Sequence, residues 1–240
     1  MRQQLLGISK KAIAGALSFA PEGMKHDSKR LFELLFWKKT LRAAGGTFHN
    51  GHMKRAFTEV FGLDAAFYDD ARILDVGCGP VGTLEWADNA RERVGADPLA
   101  DDYVRLNGGS HAMRYVKTFA EDMPFESGYF DIVTVFNALD HVEDVEASVR
   151  EICRTVRPGG TLLLIVEIDH KPTITEPHDI GEEILDLFEG FSRDMVKMVA
   201  IRDDHNMYQS VFDAAPRKNV GDAAIVIARM TKAEAAAQAA

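Results

Sequence analysis

The chain has 240 residues, 46% of them hydrophobic, enough for one ordinary globular domain with a real core and a small helical addition. Its 37 acidic and 28 basic side chains leave a net charge of −9, and no lysine- or arginine-rich run stands out, so the electrostatic footprint of a nucleic-acid binder is missing. No apolar stretch approaches the roughly 20 residues that span a bilayer, and the two cysteines, Cys78 and Cys153, point to reduced thiols in a cytoplasmic setting rather than a disulfide framework.

Residues 1–20 carry bases and an apolar part, but Lys10 and Lys11 interrupt the apolar run, which predicts an amphipathic helix rather than a signal peptide. From 28 to 63 the pattern is helical. Leu31, Leu34, Leu35 and Leu41 recur at three- and four-residue spacing, then Met53, Ala56, Phe57, Val60 and Phe61, with Gly45 and Gly46 separating two helices. The apolar content of residues 31–36 would cover the domain or serve a homodimer interface. Beyond it, strands at 72–76, 93–97, 113–118, 130–136 and 161–167 alternate with helices at 83–92, 100–107 and 144–156, which predicts an α/β fold with a doubly wound parallel sheet. The helix over 144–156 has the clearest apolar stripe, Val145, Val149, Ile152, Cys153 and Val156, and Pro158-Gly159-Gly160 is expected to stop it. The continuous apolar run after it fits a strand covered on both faces. A further helix is expected at 180–192, with strands at 195–202 and 223–230. The alanine-rich end reads as a flexible tail. The division is therefore an N-terminal helical cap or lid over 1–70, a core over 71–231 and a tail over 232–240.

The strongest functional signal is I-L-D-V-G-C-G-P-V-G-T at 73–83. Its residues 77–82 satisfy G-x-G-x-x-G, and Asp97 follows where a dinucleotide fold places its ribose-binding acid. Glycines directly after a buried strand let backbone approach a ligand where any Cβ would intrude. Nicotinamide dinucleotide and S-adenosylmethionine both fit such a turn. A charged Asp75 sits badly beside a pyrophosphate but suits an ammonium, and Pro80 removes an N–H that an anion site would use. A second acidic site, A-E-D-M-P-F at 120–125, follows the next strand. The inferred ligand has an amino group, a ribose and an adenine but no phosphate.

The motifs arrive in order: L-D-V-G-C-G at 74–79, V-G-A-D-P at 94–98, A-E-D-M-P-F at 120–125, F-D-I-V-T-V-F-N at 130–137 and R-P-G-G-T-L-L-L at 157–164. This set resembles the class I S-adenosylmethionine-dependent methyltransferases of small-molecule type. The resemblance implies a Rossmann-like, mostly parallel seven-stranded sheet with an antiparallel last strand, S-adenosyl-L-methionine as cofactor and a small-molecule acceptor. It assigns Asp75, Gly77 and Gly79 to the methionine moiety, Asp97 to both ribose hydroxyls, Asp122 to the adenine amino group and the Met123 N–H to the ring. Pro98 or Leu99 would pack on the adenine face. Asn137 would line the methionine or acceptor pocket, and Cys78 lies within the turn, where packing competes with ligand contact. An ionised carboxylate suits a vicinal diol because it accepts two hydrogen bonds at once. On the helical cap, H-N-G-H at 49–52 is a polar cluster that would close over the cofactor, and Arg55, one turn on, is a candidate partner for the methionine carboxylate.

Methyl transfer from a sulfonium is an in-line displacement in which alignment does much of the work, but a hydroxyl acceptor needs a base. His141, just past the fourth strand in F-N-A-L-D-H-V-E-D, is the candidate, against a packing role. Asp140 would orient it or bind the acceptor. Glu167, Asp169, His170, Glu176 and His178 form a second constellation on the acceptor-facing side, with Glu167, His170 and His178 as candidate substrate contacts. Such a cluster hydrogen-bonds a sugar or, as the lesser reading, holds a divalent metal; its spacing matches no ligand motif, and no metal site is assigned. The expected acceptor is a hydroxyl of a sugar or glycan precursor or of a secondary metabolite. The alternatives are a nicotinamide-dependent oxidoreductase on the same fold and a regulatory protein that binds the cofactor without transfer chemistry.

Overall fold

A computed structural model describes residues 22–106, 108–173 and 175–234, so the helix expected over 1–20 and the end of the tail lie outside the described residues. Seven strands form one sheet: β1 (Arg72–Val76), β2 (Glu92–Ala96), β3 (Arg114–Val116), β4 (Phe130–Phe136), β5 (Val156–Ile168), β6 (Phe191–Ala200) and β7 (Ala224–Lys232). Their order is β3-β2-β1-β4-β5-β7-β6, parallel from β3 to β5, with β7 antiparallel to both β5 and β6. The expected sheet, including its antiparallel last strand, is present.

Period-two alternation sends neighbouring residues of each strand into two cores. Leu74, Val133, Leu162, Leu164 and Val226 face a layer containing Val149 and Ile152 of helix α4 (Val145–Thr155) together with Ile184, Leu185 and Phe188. Ile73, Ile132, Leu163, Ile165 and Ile225 face Met53, Phe57, Phe61 and Tyr68 and, from the far end of the chain, Val211. The second layer is built from helix α2 (Met53–Phe57), short 3-10 turns at Glu59–Phe61 and Ala65–Tyr68, and helix α5 (Met207–Asp213). The central strands are thus buried on both faces.

Helix α1 (Glu22–Ala43) precedes these layers, and α3 (Ala100–Leu106) follows β2. Gly45 and Gly46 end the first helical stretch in left-handed backbone, as expected, but the second is broken into α2 and the 3-10 turns. Residues 83–91, expected as a helix, form successive turns instead. Carbonyls that a helix would use are taken from outside: Asn50 donates to Gly82 O at 3.3 Å and Arg93 to Glu85 O at 3.2 Å. The helix expected at 180–192 shrinks to a 3-10 turn at Glu182–Leu187, because β6 begins at Phe191 after Gly190 in left-handed backbone. Helix α5 was not anticipated, although Asn206 accepts from Gln209 N at 3.1 Å as its N-cap and is a readable signal.

Pro158, Gly159 and Gly160 do not stop α4, which ends at Thr155 with Val156 already extended. They form an irregularity inside β5, where Phe130 pairs with Val156 but Ile132 with Thr161. A Cβ on Gly160 would lie 2.9 Å from Arg157 O and 3.0 Å from Asp131 O, both backbone atoms. Gly160→Ala is expected to destabilise the fold by about 1–3 kcal/mol, read as a lower urea midpoint; an unchanged midpoint would remove the crowding as the reason for glycine here.

Candidate active site

Strand order reverses between β1 and β4, and the chains leaving their carboxyl ends diverge to open a crevice. A cleft of about 1240 Å³ occupies it, with Gly77, Gly79, Asp97, Asn137 and Glu167 along the floor. Helix α1 forms the roof through Phe32, Glu33, Phe36 and Trp37. Arg30 of α1 pairs with Asp102 at 2.6 Å, and the Lys29 ammonium donates to the His141 carbonyl. Leu35 and Phe36, both exposed apolar groups, line this cleft.

Gly77 and Gly79 adopt φ values of 74° and 57°, in the left-handed region. A Cβ on Gly77 would collide with the Ala138 methyl group, and one on Gly79 would meet the Trp37 ring at 3.5 Å. Asp97 is 8% exposed, its Oδ1 accepting from Leu99 N at 2.8 Å and its Oδ2 from Gly79 N at 3.3 Å. Burial raises its pKa to about 6. Pro98 and Leu99 line the cleft beside it.

Asp75 lies elsewhere than expected. Its carboxylate is buried behind the turn and accepts from the Thr134 hydroxyl at 2.6 Å and from the Thr83 hydroxyl, so it does not line the cleft. Burial raises its pKa to about 6 despite both donors. Cys78 packs into the core, its sulfur 2.6 Å from where a Cβ on Gly95 would sit, and burial raises the thiol pKa well above its ordinary value. It is a packing residue.

The adenine assignments also need correction. The Thr118 hydroxyl donates to Asp122 O at 2.8 Å in a turn that leaves the Asp122 side chain exposed, and the cleft wall is Thr118, Phe119, Ala120 and Glu121. The Met123 N–H donates to Glu151 at 2.9 Å and its carbonyl accepts from Arg154 at 3.0 Å, which commits both to α4. Arg55 pairs with Glu59 at 3.1 Å and lies over the Phe212 ring of α5 at 4.4 Å, away from the cleft. The cations that line the cleft include Lys29, Arg30 and Lys39 of α1 instead.

On the acceptor side, His141, Glu167 and Glu176 line the cleft. Asp140 is 1% exposed, with Oδ2 3.8 Å from His141 Nε2, and burial raises its pKa. Glu167 is raised by burial and then by the Asp140 and Glu176 carboxylates. His178 and His170 do not reach the cleft: His178 Nε2 lies 2.8 Å from Val142 O, and His170 Nδ1 lies 3.2 Å from Lys171 O. Asp169 turns to Arg217 at 2.6 Å. In H-N-G-H, His52 sits edge-on to Tyr208 and Asn50 is bonded to Glu85, so the cluster fastens the cap rather than lining the cleft. Glu33, Trp37, Phe119, Glu121, His205 and Met207 line the cleft without having been singled out from the sequence. Of these, Glu121 was one position from the chosen acid, while α1 and the segment before α5 carried no motif.

A family model described as a methyltransferase domain matches residues 74–164. The ubiquinone/menaquinone biosynthesis C-methyltransferase UbiE of Shewanella woodyi is 30% identical over 150 residues, 62% of this chain and 48% of that protein. The malonyl-[acyl-carrier protein] O-methyltransferase of Enterobacter lignolyticus is 36% identical over 93 residues, 38% of this chain and 37% of its own length. The chain thus spans less than half the length of these curated relatives. Among solved structures, the [4+2]-cyclase SpnF shares the fold with a TM-score of 0.62 at 20% identity, covering 87% of this chain and 96% of its own. Residues 74–164 thus match a methyltransferase domain, and the sheet and glycine turn have the form found in class I S-adenosylmethionine-dependent methyltransferases, which points to S-adenosylmethionine as the cofactor.

The residues present fit that cofactor. Gly77 and Gly79 leave backbone open to a methionine chain, Asp97 keeps lone pairs for a ribose diol, and Leu99 and Phe119 offer apolar surface to a base. Glu33 lies near enough to Asp97 to raise its pKa further. Two carboxylates beside a turn that contains Pro80 disfavour a pyrophosphate.

Two outcomes follow from the buried acids. An ionised Asp97 accepts both diol protons and a protonated one does not, so S-adenosylhomocysteine affinity should fall about tenfold per pH unit below about 6. Calorimetry across that range checks it, and Asp97→Asn should flatten the profile. Asp75 holds its proton more tightly folded than unfolded, so its contribution to stability is lost as pH rises from about 4 through about 6. Thr134→Val removes a donor to the ionised form. It should cost about 1–3 kcal/mol at alkaline pH and less in acid, measured as urea midpoints at both ends of the range.

Proposed function

We propose that the protein transfers a methyl group from S-adenosylmethionine to a hydroxyl of a small molecule, a sugar or glycan precursor or a secondary metabolite, with His141 as the base. The observation that carries this is one cleft lined by Gly77, Gly79 and Asp97 at one part and by His141 and Glu167 at another. S-adenosylmethionine supplies an electrophilic methyl whose transfer leaves a neutral thioether, so the leaving group requires no acid.

The chain's own residues then have two tasks. Helix α1 covers the cleft and holds the turn bearing His141 through Lys29. His141 removes the acceptor proton, with the Asp140 carboxylate 3.8 Å away to stabilise the imidazolium that forms. Glu167 accepts a hydrogen bond from a neighbouring acceptor hydroxyl, which favours polyhydroxylated substrates. Asn137, in left-handed backbone at φ 52°, presents its amide between the two parts.

A carbon acceptor is the second reading. Phe32, Leu35, Phe36, Phe119 and Val142 give the cleft a broad apolar wall, and relatives over the core are named C-methyltransferases. The same base would then take a proton from an activated carbon. The nuclear magnetic resonance shift of the new methyl group separates oxygen from carbon products. Among the described residues no helix is long and apolar enough to cross a membrane. We place the enzyme in the cytoplasm, acting on free metabolites without nucleic acid, and a homodimer would use Leu31, which is 57% exposed and outside the cleft lining.

His141→Gln is expected to lower kcat by about 10²–10⁴-fold with S-adenosylhomocysteine affinity within about twofold of the parent, by radiolabelled methyl transfer to a panel of sugars and phenolic metabolites and by calorimetry. Unchanged turnover would reduce His141 to a packing role. Tight cofactor binding with no methyl moved to any acceptor would favour the regulatory alternative.

A further inference from the structure

At the acceptor end of the cleft the carboxylates of Asp140, Glu167 and Glu176 act on one another. Asp140, on the turn after β4, is almost completely buried, and among the described residues its Oδ1 meets no hydrogen-bond partner. Burying a carboxylate oxygen with no donor to meet it is unfavourable. One donor atom each from Asp140, His141 and Glu176 lies within 4.8 Å of the other two. The favourable charges acting on Asp140 come from the imidazoles of His141 and His170. Among the described residues no lysine or arginine forms an ion pair with Asp140, Glu167 or Glu176.

We propose that Asp140, His141 and Glu176 bind a divalent first-row cation of the Mn²⁺ or Zn²⁺ type. One imidazole nitrogen and two carboxylate oxygens are a donor set for such ions. A contraction of about an ångström brings the three atoms to the roughly 2.0–2.2 Å that these ions require. The buried Asp140 carboxylate then gains a cation as partner. The Thr173 hydroxyl lies 3.0 Å from Glu176 Oε2 and orients that ligand from outside, as an outer-shell contact does. Three protein ligands leave coordination positions open toward the cleft, which His141 and Glu176 line.

The site itself is independent of the proposed methyl transfer; only the use of the ion rests on that reading. A proton and the ion compete for the same His141 nitrogen. A bound ion would lower the pKa of an acceptor hydroxyl, and Glu167 would take the proton in place of His141, whose nitrogen would then be a ligand.

The test is titration of the chelator-treated 240-residue chain with Mn²⁺ alone, followed by electron paramagnetic resonance, and with Zn²⁺ by calorimetry. One saturable site is expected, weakened at least about tenfold in Asp140→Asn and in Glu176→Gln. Glu176 is only half-buried and on a loop, so its variant keeps the test decisive if Asp140→Asn does not fold by circular dichroism. No saturable site for either ion, or equal affinity in the folded variants, overturns the proposal. S-adenosylhomocysteine binding in the same samples judges the methyltransferase reading separately: cofactor binding without metal binding overturns the metal site alone, and metal binding without cofactor binding overturns the reading alone.

Discussion

A carboxylate buried between two threonine hydroxyls fixes the cleft. Asp75 and Thr134 are directly paired residues of β1 and β4, the two strands between which the sheet reverses its order. Thr83 reaches the same carboxylate from beyond the glycine turn. Three segments that would otherwise separate at the crevice are therefore tied at one point, and the positions of Gly77, Gly79 and Asp97 follow. The tie has a cost, because desolvation opposes the ionised form and the hydroxyls only partly offset it. The charge also repels Asp97 and strengthens the preference of this corner for cationic or proton-donating ligand groups.

Asp97 and Glu167 lie at strand ends, while α1 brings Lys29, Arg30 and Lys39 together with the acidic Glu33. The roof is fastened by polar contacts such as Arg30 to Asp102 and Lys29 to Glu143, the latter at 3.6 Å with Glu143 substantially exposed. Exposed ion pairs of this kind contribute little each and weaken with salt. Trp37 adds edge-on contacts with Phe48 and Tyr103 at 5.7 and 6.5 Å. The sheet, by contrast, rests on two fully buried apolar layers.

What was legible in the sequence follows the same division. Apolar runs such as 161–168 have one destination in a fold of this size, so the strands could be read, as could the glycines and Asp97 next to them. Side-chain direction within irregular segments could not. In A-E-D-M-P-F, which acid faces the cleft depends on one hydroxyl, Thr118, closing a turn on the Asp122 carbonyl. Residues 83–91 form turns instead of the expected helix, and Asn50 and Arg93, remote or downstream in the chain, bond to carbonyls among them and next to them. Arg55 faces away because α5 supplies Phe212, 157 positions later (212 − 55), and no local pattern announces that encounter. His178 likewise meets a backbone carbonyl that only the folded loop brings near.

Helix α1 is one continuous rod of 22 residues, touching the cofactor part of the cleft at Trp37 and the acceptor part at Lys29. Eight residues at about 1.5 Å rise separate those contacts by about 12 Å. A rod of that length does not hinge in its middle, so lifting it from either contact strains the other. In the proposed transfer, entry of the small molecule and exchange of the spent nucleoside would share a single mechanical gate, and the slower of the two would set the pace of the cycle.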